Sequence, residues 1–133
     1  MHSYRLMAAA LLLVTGTSAA AQSRDCLHGQ PEMPADRARR EKALDLAHAI
    51  NSAEASRRGP IGRGPFVPFE QLNLPATPAG FQVQFHLDGS KYAFSIKDTR
   101  DPCGYAIFSD QDAEVYEAVP SPPKGGVKLL PVR

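Results

Sequence analysis

Two cysteines, three histidines beyond residue 21 and no second long apolar run are all that this 133-residue sequence offers to catalysis, metals or a membrane. Neither H-E-x-x-H nor C-x-x-C occurs, so the common zinc spacings and dithiol redox chemistry are not indicated. His28, His48 and His86 fall in a predicted arm, helix and strand, and no serine sits in a nucleophile-elbow motif, so no Ser/His/Asp set can be read. No G-K-[ST] follows the glycine-rich stretch after residue 58, and Pro65 and Pro68 remove backbone donors that a phosphate cradle would use. No cofactor, metal or catalytic residue is therefore assigned.

What is present begins with a leader. His2 and Arg5 give a basic start, residues 6 to 14 are apolar, and Ala19-Ala20-Ala21 supplies an A-x-A site, so cleavage is expected before Gln22. Nine apolar residues reach about 14 Å as a helix, under half of a ~30 Å hydrocarbon core. No stable membrane span is expected after cleavage. Cys26 follows Ser23-Arg24-Asp25, unlike a lipid-attachment cysteine. The expected location is periplasmic or secreted.

Loss of residues 1 to 21 removes Arg5 alone among charged residues, leaving 14 basic and 14 acidic groups. Such a balance gives no bulk attraction to nucleic acid or membrane. Charge is nonetheless segregated: Arg57, Arg58 and Arg63 crowd one loop and form the candidate interaction site, while residues 98 to 117 are acidic. Solvated patches, or patches facing each other, are the competing explanation.

In an exported chain the two cysteines are expected to pair, Cys26 with Cys103. A closed loop of this length stabilises a fold by up to about 4 to 5 kcal/mol on the chain-entropy model. The bridge would pin an irregular arm, residues 22 to 33, to the body.

Residues 34 to 56 read as one helix, started by Pro34 and Asp36 and ended by Gly59-Pro60, with a narrow apolar stripe at Ala43, Leu46, Ala47, Ile50 and Ala53. Arg37 to Glu41 and Asp36 to Arg40 are the pairs expected one turn apart, and Arg37, Arg39, Arg40 and Lys42 read as a solvated basic face. Residues 57 to 78 are a Pro/Gly loop whose Phe66, Val67, Phe69, Leu72 and Leu74 cover the core edge. The period then becomes two: Phe81, Val83, Phe85 and Leu87 form one strand, Asp88-Gly89 a turn, and Tyr92, Phe94 and Ile96 the return. Third and fourth strands are expected over residues 103 to 108 and 114 to 119, and a flexible tail from residue 120, where Val127, Leu129 and Leu130 could add an edge contact. The fold class is α+β: one long amphipathic helix packed on a four-stranded antiparallel meander, in a single domain over residues 34 to 119.

Asp98, Asp101, Asp110 and Asp112 lie at predicted turns, where aspartate is favoured for local hydrogen bonding; a calcium site would need two loops at one end of the sheet, which successive meander connections do not provide. Phe81, Phe85, Tyr92 and Phe94 could stack bases, but the same alternation is what a helix-covered core requires.

The basic, alanine-rich helix over residues 37 to 54, the Pro/Gly loop, and the meander through residues 92 to 98 and 110 to 116 resemble the globular head of type IV pilins and pseudopilins. The resemblance spans residues 36 to 119 and lacks the hydrophobic assembly helix. It implies a non-enzymatic structural or protein-binding module with a protein partner in the cell envelope. The alternative is a PepSY-like or cystatin-like module that inhibits a peptidase or binds a ligand.

Overall fold

The computed structural model describes residues 26, 27, 32–121 and 126–132. The leader and the segment preceding Cys26 lie outside the described residues.

One helix, α1 (Pro34–Arg57), carries proline in its first turn, where the missing N–H removes no helical bond, and Asp36 against the positive end of the helix dipole. It buries Ala43, Leu46, Ala47 and Ile50 of the predicted stripe, with its fifth member Ala53 only partly buried against the core, together with Asn51 and Glu54. The two alanines let the helix axis approach the sheet closely. A short 3-10 turn, Phe69–Gln71, interrupts the following loop.

The sheet has five strands in chain order: β1 (Phe81–Asp88), β2 (Lys91–Asp98), β3 (Ala106–Asp110), β4 (Val115–Ser121) and β5 (Gly126–Pro131). Every neighbouring pair is antiparallel. The four-stranded expectation is thus corrected: the segment expected to be a flexible tail pairs with β4 from Tyr116↔Pro131 to Ser121↔Gly126. Pro131 is tolerated because β5 is an edge strand, where one row of backbone groups needs no partner. The α+β class stands.

Smaller shifts have local causes. Asp88 pairs with Lys91, so the hairpin loop is Gly89-Ser90, and Gly89 at φ 44° supplies its left-handed first position. β3 starts at Ala106 because residues 101 to 104 close a turn, Gly104 N–H donating to Asp101 O.

Between helix and sheet lies one core of Leu46, Ile50, Tyr92, Phe94, Ile96, Tyr105, Ile107 and Val115, joined by Leu27 from the arm and Phe66 and Leu72 from the loop. Full burial of such an aliphatic or aromatic side chain contributes about 1.5–3 kcal/mol. Phe85, Tyr92 and Phe94 stack with interplanar angles of 9° and 12° about Phe85, and Phe66 meets Tyr92 edge-on at 4.8 Å. Tyr92 and Phe94 belong to this core, and Phe85 is partly buried against it. No helix among the described residues is long and apolar enough to cross a membrane.

Candidate functional site

The arginine loop is a built structure. Past the end of α1 the chain curls back on itself: Gly59 N–H donates to Ser56 O, Gly62 N–H to Gly59 O, and Gly64 N–H to Arg58 O at 3.2 Å. Glycine suits this close approach, since a Cβ at Gly64 would stand 3.0 Å from the Arg58 Cα, tighter than ordinary contact. The Arg58 Nε returns a hydrogen bond to the Gly64 carbonyl at 3.1 Å, and its guanidinium lies 4.4 Å above the centre of the buried Phe66 ring. Arg58, Arg63, Gly64, Pro65 and Phe66 then face the Gly89-Ser90 hairpin turn across an open concavity of about 340 Å³. Arg58 and Arg63 are thereby brought together. Arg57 is not part of this hollow; it donates to the Gln71 carbonyl at 2.7 Å.

Among the described residues none of these three arginines forms an ion pair, whereas Arg37, Arg39 and Arg40 all do. The helix arginines do not use the partners expected one turn away. Arg37 meets Glu32, Arg39 meets Asp36 and the fully buried carboxylate of Asp98, and Arg40 grips Glu32 through two nitrogens and Glu117 through a third. They are structural clamps between helix, arm and sheet. His48 and His86 are exposed on the helix and on β1, and His28 lies outside the described residues.

Beneath the loop, Glu54 is fully buried. Its Oε2 accepts the Val67 N–H at 3.3 Å, and its Oε1 has no hydrogen-bond partner among the described residues. Burial pushes its carboxyl pKa upward, against the Val67 bond and the charges of Arg57 and Arg58.

The expected bridge is present: Cys26 and Cys103 are disulfide-bonded, which is compatible with an oxidising compartment outside the cytoplasm. Asp101 completes this corner by accepting the Leu27 N–H at 2.8 Å and the Tyr105 N–H at 2.6 Å. Cys26, Asp101 and Cys103 are the only group of three such side chains close enough for a metal among the described residues, and both sulfurs belong to the bridge. The four turn aspartates are not gathered: Asp98 serves Arg39 and the Arg100 N–H, while Asp110 accepts the Asp112 N–H.

The outer face of the sheet carries a feature that local patterning left unassigned. The β2–β3–β4–β5 register sets Phe108 beside Tyr116, and Ala118 beside Leu129, on the side away from Ile107 and Glu117. Phe108, Val127 and Leu129 are 39%, 62% and 54% exposed. On β1 and β2 the corresponding positions are Gln82, Gln84, His86 and Lys97. The signal was Phe108 together with Val127 and Leu129, but only the pairing of β5 with β4 assembles them on one face.

Searches of protein-family models, curated proteins and solved structures return no match to this chain.

Proposed function

We propose that the chain is a periplasmic or secreted, non-enzymatic structural or protein-binding module, acting through the outer face of β3, β4 and β5 on a protein of the cell envelope. The observation that carries this is the exposed apolar stripe of Phe108, Val127 and Leu129 next to an edge strand. The inner face is occupied by α1, so the stripe is surplus to the fold's own core. An edge strand also presents unpaired N–H and C=O groups, which a partner strand can use. The resemblance to pilin heads bears on this through architecture alone, a helix laid on an antiparallel meander.

A photo-crosslinking side chain at Leu129, with Gln84 on β1 as the control position, tests it in the native host. One discrete protein adduct from position 129 and none from position 84 is expected. Equal products from both positions, or an adduct that persists after Val127→Glu, would overturn it.

A further inference from the structure

We propose that the hollow formed by Arg58, Arg63, Phe66 and the Gly89-Ser90 turn binds a carboxylate carried next to an apolar side chain on a peptide, the acidic residue of a protein partner. It rests on the reading of the chain as a protein-binding module and assigns a second contact to it. Two guanidinium groups without ion-pair partners among the described residues border one concavity of about 340 Å³, within the size range of ligand sites. Arg58 is pre-positioned: its Nε is tied to the Gly64 carbonyl and its plane rests on Phe66, so its terminal nitrogens are fixed in direction before any ligand arrives. The buried acid beneath the loop, Glu54, answers the Val67 N–H, and its burial disfavours the charged form that would neutralise Arg58.

The chemistry discriminates between anions. A phosphate cradle is lined by backbone N–H groups, yet on the loop side Gly59 turns its own to Ser56 at the end of α1, Gly62 and Gly64 turn theirs to Gly59 and Arg58, and Pro60 and Pro65 have none. On the loop side this leaves the planar guanidinium groups of Arg58 and Arg63, a match for a planar carboxylate, beside Pro65 and Phe66 as an apolar wall and opposite the Gly89-Ser90 turn.

Amide chemical shifts of the oxidised mature protein read the test, with four probes: a blocked tetrapeptide containing Asp-Phe, the same peptide with Asn for Asp, N-acetylphenylalanine, and inorganic phosphate. The acidic peptide should produce saturable shifts at Arg58, Gly64, Gly89 and Ser90, with the Asn peptide at least about tenfold weaker. Arg63→Gln should weaken the acidic peptide by about fivefold or more at unchanged melting temperature, since Arg63 is exposed and holds no described contact in the fold. Equal binding of the Asn peptide, phosphate binding as tightly as the peptide, binding of N-acetylphenylalanine alone, or no effect of Arg63→Gln would each overturn the proposal. The Leu129 adduct is read on another surface, so a negative titration with that adduct intact removes the carboxylate site and leaves the docking face standing.

Discussion

The Tyr105 hydroxyl donates to the same Glu117 oxygen that receives Arg40, at 2.5 Å and 3.1 Å respectively. Arg40 simultaneously holds Glu32 with its Nε and another terminal nitrogen. The arm, the first half of α1, the entry to β3 and the centre of β4 therefore meet at one polar knot. Its bond to Glu32 raises the Arg40 pKa despite the opposing effect of burial. Burial first, then the bond to Glu117, drives the Tyr105 hydroxyl far above its ordinary value.

Removing one member should expose how unequal the contributions are. Arg40→Ala takes the shared cation away from two largely shielded carboxylates, Glu32 and Glu117, and is expected to destabilise by about 3 kcal/mol. Tyr105→Phe removes one donor while Glu117 keeps Arg40, and is expected to cost about 1 to 2 kcal/mol. Urea midpoints of the oxidised proteins measure both. A smaller loss for Arg40→Ala than for Tyr105→Phe would mean that solvent, not Arg40, satisfies the acids.

The sulfur bridge holds more than two cysteines. Leu27, only 1% exposed, enters the core one residue after Cys26, and its N–H is taken by Asp101 two residues before Cys103. Reduction is expected to lower stability by up to about 4 to 5 kcal/mol. Leu27→Ala in the oxidised protein should cost about 2 to 4 kcal/mol by itself. If reduction leaves the melting temperature unchanged, the arm is held by Leu27 and Asp101 and not by the bridge.

The helix, the first hairpin and the sulfur bridge were legible because each is written in local or arithmetic form: a stripe at Ala43, Leu46, Ala47 and Ile50, alternation through Phe81 to Leu87, and one partner for Cys26. β5 was not, because Val127-Lys128-Leu129-Leu130-Pro131 breaks strict alternation and ends in proline, and its strand state follows from pairing with β4. The arginines divide the same way. Arg58 and Arg63 stood out as a loop cluster, but Glu32 and Glu117 as the partners of Arg40 are separated from it by 8 and 77 positions. Propensity and i,i+4 rules describe a helix surface in isolation; the arm and sheet decide which charges those arginines meet.

Asn51 occupies the helix–sheet interface as a three-way connector. Its Nδ2 donates to Ser109 Oγ at 2.9 Å and to the Ala113 carbonyl at 3.2 Å, while its Oδ1 accepts the Tyr92 hydroxyl at 2.8 Å. Asn51→Leu is nearly isosteric but strands Tyr92 and Ala113, and is expected to cost about 3 kcal/mol. Burial, with Glu54 and Asp110 adding, pushes the Tyr92 pKa up to about 12. Since the folded value exceeds the unfolded one, this tyrosine contributes stability below pH ~10 that is lost as pH rises towards 12. Tyr92→Phe should accordingly flatten the alkaline fall in stability; an unchanged alkaline limb would remove Tyr92 as its source.

Glu54 should give the same trend in the acid range. Its folded-state carboxyl is raised by desolvation, so the protonated form suits the fold, and stability declines as pH climbs from the unfolded value, near 4.5, through the folded one. Glu54→Gln keeps an acceptor for the Val67 N–H and abolishes the charge. The variant is expected to gain roughly 1 kcal/mol over the parent at pH 7 and nothing at pH 4, on the scale of one unsatisfied buried polar group. Paired urea titrations at the two pH values decide it: an equal gain at both would trace the effect to packing, and a loss at pH 7 would mean that Arg57 and Arg58 hold the carboxylate ionised at a net benefit to the fold.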